Sequence, residues 1–159
     1  MQYMKLVLDT DCLIKLTKAG LKERVCEEFE ISIPMLVRVE AVDRGGRRPD
    51  AERIRSNIRD DRLDVHSDPG RLPRGEEAAY ALFQTGRYDA VGTDDRRFVR
   101  RLRADGVPYV TPCVLVVLLA RRGTIDRGEA NAALESLAPH VSEDEVAMAR
   151  AVLGLGGSS

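Results

Sequence analysis

Lys5-Leu-Val-Leu-Asp-Thr-Asp-Cys-Leu-Ile-Lys-Leu16 opens as an apolar run, closes at helical spacing, and carries a carboxylate at the joint. Lys5 to Leu8 has the form of a buried strand that delivers Asp9 to its C-terminal edge. Leu13, Ile14, Leu16, Leu21 and Val25 then recur at helical spacing, with Gly20 as a break between two short helices. The pattern returns along the chain. Ile31 to Ile33 reads as a strand, and Pro34 suits the first turn of a helix that carries Leu36, Val37, Glu40 and Ala41 before Gly45-Gly46 stops it. Pro49 to Ile58 reads as an Arg-rich helix, Leu63 to Val65 as a short strand, and Ser67 to Gly75 as a loop. A compact helix over Glu76 to Phe83 precedes a strand over Ala90 to Thr93. A basic helix over Arg96 to Ala104 and a strand over Val107 to Val110 come next. Helices over Pro112 to Ala120, Ile125 to Leu137 and Glu143 to Leu153 complete the reading.

Strands alternating with helices predict an α/β fold, a three-layer α/β/α sandwich around a central, mostly parallel sheet. Ligand sites in such sheets lie at the C-terminal edges of the strands, where Asp9 and Asp94-Asp95 both fall. No repeat or linker interrupts the chain, so residues 1–153 are expected to form one domain with a flexible tail over 154–159.

Composition sets outer bounds. The 159 residues are 43% hydrophobic and 32% charged, which argues against a mainly disordered chain. The longest apolar run, Val114 to Ala120, is far short of the roughly 20 residues needed to span a bilayer. The opening Met-Gln-Tyr-Met-Lys lacks the features of an export signal, so a cytoplasmic protein with no membrane partner is expected. Cys12, Cys26 and Cys113 are odd in number, form no CxxC pair and read as small buried hydrophobes. With 25 basic against 26 acidic side chains the net charge is -1, which excludes a uniformly basic nucleic-acid binder but not a local basic patch.

Four acidic positions share a placement. Asp9 ends the first strand, Glu40 sits among Val37, Val39, Ala41 and Val42, Glu76 opens an Ala-rich helix, and Asp94-Asp95 end a later strand. Singly, each acid except Glu40 is explained by helix capping or by the helix dipole. Glu40 among apolar neighbours needs a partner. Together they point to one acidic cleft, where mutual repulsion raises pKa values unless a hard divalent cation such as Mg²⁺ or Mn²⁺ neutralises them.

In order and local wording these segments resemble the PIN-domain ribonucleases, a family that includes the toxins of VapBC-type toxin–antitoxin pairs. Leu8 to Leu16 is similar to the family's opening strand, turn and helix. Ile33-Pro-Met-Leu-Val-Arg-Val-Glu40 is similar to its second motif, and Gly75-Glu-Glu-Ala-Ala-Tyr-Ala-Leu82 to a variant of its third. Gly92-Thr-Asp-Asp-Arg-Arg-Phe98 is similar to the fourth, and Val110 to Ile125 to the last strand and helix. The resemblance implies Mg²⁺- or Mn²⁺-dependent hydrolysis of RNA, with Asp9, Glu40, Glu76, Asp94 and Asp95 as the catalytic and metal-holding acids. Asp94 and Asp95 both stay open as ligands, Glu76 is preferred to the adjacent Glu77, and Asp11 adds a charge where the family usually has a small polar residue. An antitoxin partner and a homodimer are further implications.

A substrate phosphate would need a basic rim. Arg96, Arg97, Arg100, Arg101 and Arg103 follow the last acidic motif, and Arg44, Arg47, Arg48, Arg53, Arg55, Arg59 and Arg62 follow Glu40. Two other readings compete. Asp9-Thr-Asp11 also fits a haloacid-dehalogenase-like phosphatase, but that chemistry needs a later lysine, and the last lysine here is Lys22. A non-catalytic PIN-like binding module is the other, and the filled acidic positions count against it.

Overall fold

A computed structural model describes residues 3–43, 63–67 and 74–155. Strand β1 (Lys5–Leu8) lies at the middle of the sheet, hydrogen-bonded in parallel to β2 (Glu30–Pro34) on one side and β4 (Ala90–Gly92) on the other. Outside them run β3 (Asp64–His66) and β5 (Tyr109–Val110), giving the all-parallel order β3-β2-β1-β4-β5. Burial dictates this centre: Leu6, Val7 and Leu8 are all closed to solvent, as expected of a strand covered on both faces.

Alternation of side chains across β1 and β4 divides the core. Leu6, Leu8 and Ala90 enter a large cluster with residues of α1 (Thr10–Lys18), α2 (Lys22–Glu28), α6 (Pro112–Arg121), α7 (Arg127–Leu137) and α8 (Glu143–Leu153). Val7 packs with Ala79 and Leu82 of α4 (Gly75–Phe83), and Val91 with Phe98 and Leu102 of α5 (Arg96–Ala104). Each fully buried Leu, Val or Ile side chain contributes roughly 1.5–3 kcal/mol, so both layers are held by the sheet's own alternation. The result is the three-layer α/β/α sandwich.

Two features tune the sheet's C-terminal edge. Register pairs Leu8 with Gly92, which places the following residues, Asp9 and Thr93, side by side. Gly92 leaves room for the Leu8 side chain, since a Cβ there would fall 2.2 Å from Leu8 Cδ2 and the leucine would have to move.

Several elements depart from the sequence reading. Pro34 ends β2 in extended conformation and caps the next helix instead of entering it. That helix, α3 (Met35–Arg38), is α-helical for four residues and passes into a π-helical turn over Val39–Asp43 that contains Glu40. Widened turns of this kind recur at functional sites. The helix expected from Ile125 begins at Arg127, because Asp126 and Glu129 form a reciprocal capping box. Gly154, read as the start of the tail, closes α8 in left-handed conformation at φ 67°, and Arg127 donates to the carbonyls of Leu153 and Gly154. The helix expected over Pro49 to Ile58, the arginines from Arg44 to Arg62 and the Gly45-Gly46 stop lie outside the described residues. Among the described residues, no helix is long and apolar enough to cross a membrane.

Candidate active site

Asp9 is the N-cap of α1, and capping explains half of its environment: one carboxylate oxygen accepts the Cys12 backbone N–H at 2.9 Å. The other oxygen accepts the hydroxyl proton of Thr93. Only 3% of Asp9 is exposed and Thr93 is wholly buried. Burial therefore dominates the Asp9 carboxyl and pushes its pKa up to about 7, with the charges of Asp11 and Asp95 adding to the rise and the two hydrogen bonds opposing it. Each Asp9 oxygen keeps a lone pair beyond its present bond.

Asp95 is the N-cap of α5, accepting from Phe98 N–H at 2.9 Å, while its own backbone N–H donates to Thr93 Oγ1 at 3.1 Å. Thr93 thus joins the two acidic segments. Glu40 finds its partner in a backbone amide: Oε1 accepts Gly75 N–H at 2.5 Å and so receives an orphan donor at the start of α4. Gly75 is a spatial requirement, because a Cβ would sit 2.5 Å from Glu40 Oε1 and 2.6 Å from Thr10 Oγ1. Glu76 follows in the first turn of α4. Burial and then the charge of Asp95 raise its pKa, and Arg74, 3.7 Å away, opposes the rise.

Asp9, Glu40, Glu76 and Asp95 line one cleft of about 250 Å³ together with Thr10, Asp11, Arg74 and Gly75. Two of the paired choices are separated. Glu77 faces α5 and takes both of its hydrogen bonds from Arg101 at 2.8 Å. Asp94 leaves the acidic cleft for the opposite flank, where Lys15 donates to it at 2.5 Å and where it lines a second cleft with Glu145.

Sequence reasoning missed four contributors. Thr93 lies within Gly92-Thr-Asp-Asp95, but nothing marks a threonine as a bridge until the strand register is known. Thr10 has a buried hydroxyl with no hydrogen-bond partner among the described residues. Arg74 sits on the rim. Lys15 reaches its acid across 79 positions of sequence.

The donor set suits a hard divalent cation: every group is an oxygen donor, and five carboxylates share a cleft with one exposed arginine. A cation there would reverse the logic that holds Asp9 near neutrality. Among the described residues no three carboxylates converge tightly enough to form a ready-made ligand cage, so the fit lies in the chemistry of the donors.

Comparison with known proteins finds that residues 5–143 match a family model described as a PIN domain, a nuclease-type fold. No curated protein matches the chain.

Proposed function

We propose that this chain, which belongs to the PIN-domain family, is an endoribonuclease that hydrolyses RNA phosphodiester bonds with Mg²⁺ or Mn²⁺. The observation that carries this reading is the cleft in which acids from four separate segments, Asp9, Glu40, Glu76 and Asp95, stand together around one volume. Asp9 and Asp95 are the residues that would hold the ion, with Glu76 and Glu40 beside them. Once bound, such an ion lowers the pKa of a coordinated water and offsets the charge of the scissile phosphate.

The chain's own groups have distinct parts. Thr93 fixes the orientation of the Asp9 carboxylate through one hydrogen bond and the position of the Asp95 backbone through another. Glu40 anchors the first residue of α4 through Gly75 N–H, and thereby sets where Glu76 stands. Arg74, largely exposed on the rim, offers a guanidinium for substrate phosphate.

RNA cleavage by the purified chain in Mn²⁺ tests the proposal, with Asp9→Asn as the comparison. Loss of cleavage in a folded Asp9→Asn variant is expected, and wild-type rates in that variant would remove the site. A non-catalytic binding module is distinguished by calorimetry, since it has no need of Mn²⁺. A toxin role within the same reading predicts that the chain expressed alone arrests growth and that Asp9→Asn relieves the arrest.

A further inference from the structure

Helix α5 carries five arginines, and its period divides them between two flanks. Arg96, Arg100 and Arg103 recur at i, i+4 and i+7 and line a second cleft of about 390 Å³ beside the start of α8. Arg97 and Arg101 lie a third of a turn away, where Arg101 is occupied by Glu77 at 2.8 Å and stacks over the Tyr80 ring at 4.4 Å. On the first flank Arg96 and Arg100 are exposed and make no ion pair among the described residues. Arg103 is steadied by the Tyr109 hydroxyl, which accepts from its Nε at 2.8 Å.

This second cleft adjoins the acidic one through consecutive residues. Asp95 lines the acidic cleft and Asp94 the other, and neighbouring Cα atoms are about 3.8 Å apart. Its lining presents three guanidinium groups against the carboxylates of Asp94 and Glu145, and Asp94 is already held by Lys15 at 2.5 Å. Val99 and Val141 supply apolar wall. A volume of this size, with convergent cations and an apolar side, matches a small ligand carrying phosphate.

We propose that the α5–α8 cleft seats the nucleotide adjacent to the one whose phosphodiester is cut, its phosphate held by Arg96 and Arg100. The RNA strand therefore passes from the acidic cleft over the Asp94 side of α5 and not over α4. This rests on the nuclease reading and adds a direction to it: on the other flank Arg101 is already taken up by Glu77 and Tyr80 of α4.

The test is steady-state cleavage of an unstructured RNA oligonucleotide in Mn²⁺ by the full chain at a series of salt concentrations. Arg96→Ala and Arg100→Ala are each expected to raise KM with kcat retained, and to lower the slope of log KM against log salt by about 0.7. Arg97→Ala, on the opposite flank, is expected to move neither. The proposal is overturned if a cleaving wild type keeps its slope and KM in both of the first two variants. It is equally overturned if Arg97→Ala changes the slope as much as they do, or if kcat falls while KM stays. A wild type that cuts no RNA at all overturns the nuclease reading itself, and the two failures are thereby told apart.

Discussion

Thr93 donates its one hydroxyl proton to Asp9, the residue after the neighbouring strand, and the same oxygen accepts the backbone N–H of Asp95 at 3.1 Å. Strand register alone brings these groups together, because Leu8 pairs with Gly92 and the next residue of each strand follows in step. A hydroxyl used as both donor and acceptor leaves no rotational freedom, so the acid it touches is oriented before anything binds.

Removing that hydroxyl gives the first prediction. Thr93→Val should keep the fold and lower RNA cleavage about 10- to 100-fold, the usual cost of losing a group that orients a metal-holding side chain. Thr93→Ser should restore most of the rate. Equal activity in the valine and serine variants would show that the bridge plays no part.

Asp94 and Asp95 should separate in metal binding. Asp95→Asn keeps an N-cap for α5 but removes a charge from the acidic cleft, so Mn²⁺ affinity measured by calorimetry should collapse. Asp94→Asn removes the partner of Lys15 and should leave Mn²⁺ affinity within about threefold of wild type, the acid lying outside the cleft. Loss of Mn²⁺ binding in both variants, or only in Asp94→Asn, reverses the assignment.

Buried charge predicts a pH dependence for the metal-free chain. The Asp9 pKa is raised from 3.8 to about 7 by burial, so the folded state binds a proton that the unfolded chain releases at lower pH. Stability from this group is complete below about pH 4 and declines as pH rises through 7. Asp9→Asn, which cannot ionise, should therefore be the more stable protein at pH 8.5, by up to about 4 kcal/mol, with the difference vanishing at acid pH. Chemical denaturation in EDTA across this range measures it, and saturating Mn²⁺ should narrow the gap.

Gly75→Ala should damage the site without touching an acid. The new Cβ would press on Glu40 Oε1 and Thr10 Oγ1 at about 2.5 Å, so Glu40 must release Gly75 N–H or the start of α4 must shift. A destabilisation of roughly 1–3 kcal/mol with loss of cleavage is expected. Full activity and unchanged melting would mean that α4 is not anchored through this contact.

How far the sequence could be read follows from which interactions are local. The apolar run Leu6-Val-Leu8 and the helical spacing after it are local, and they fixed the central strand and its exit acid. Glu40 was marked by its apolar neighbours, although its helix turned out to widen into a π-helical turn that no spacing announces. Capping explained too much: Asp94 and Asp95 are equally good caps on paper, and only the Thr93 bridge decides which one shares a cleft with Asp9. The arginines of α5 read as a single basic rim, though their period already held the division into two flanks. Lys15 with Asp94 was invisible, since ion pairing across the fold leaves no trace in spacing.

Leu8 and Gly92 extend this into the interior. The leucine methyl group lies where a side chain at 92 would begin, so a side chain added there would press on the ladder that holds the segments bearing Asp9 and Asp95 together. Gly92→Ala alone should wedge the strands apart, and pairing it with Leu8→Ala should let them close again. If the acidic cleft binds the proposed cation, its affinity should respond to changes on the greasy side of the sheet, at residues that could never ligate an ion.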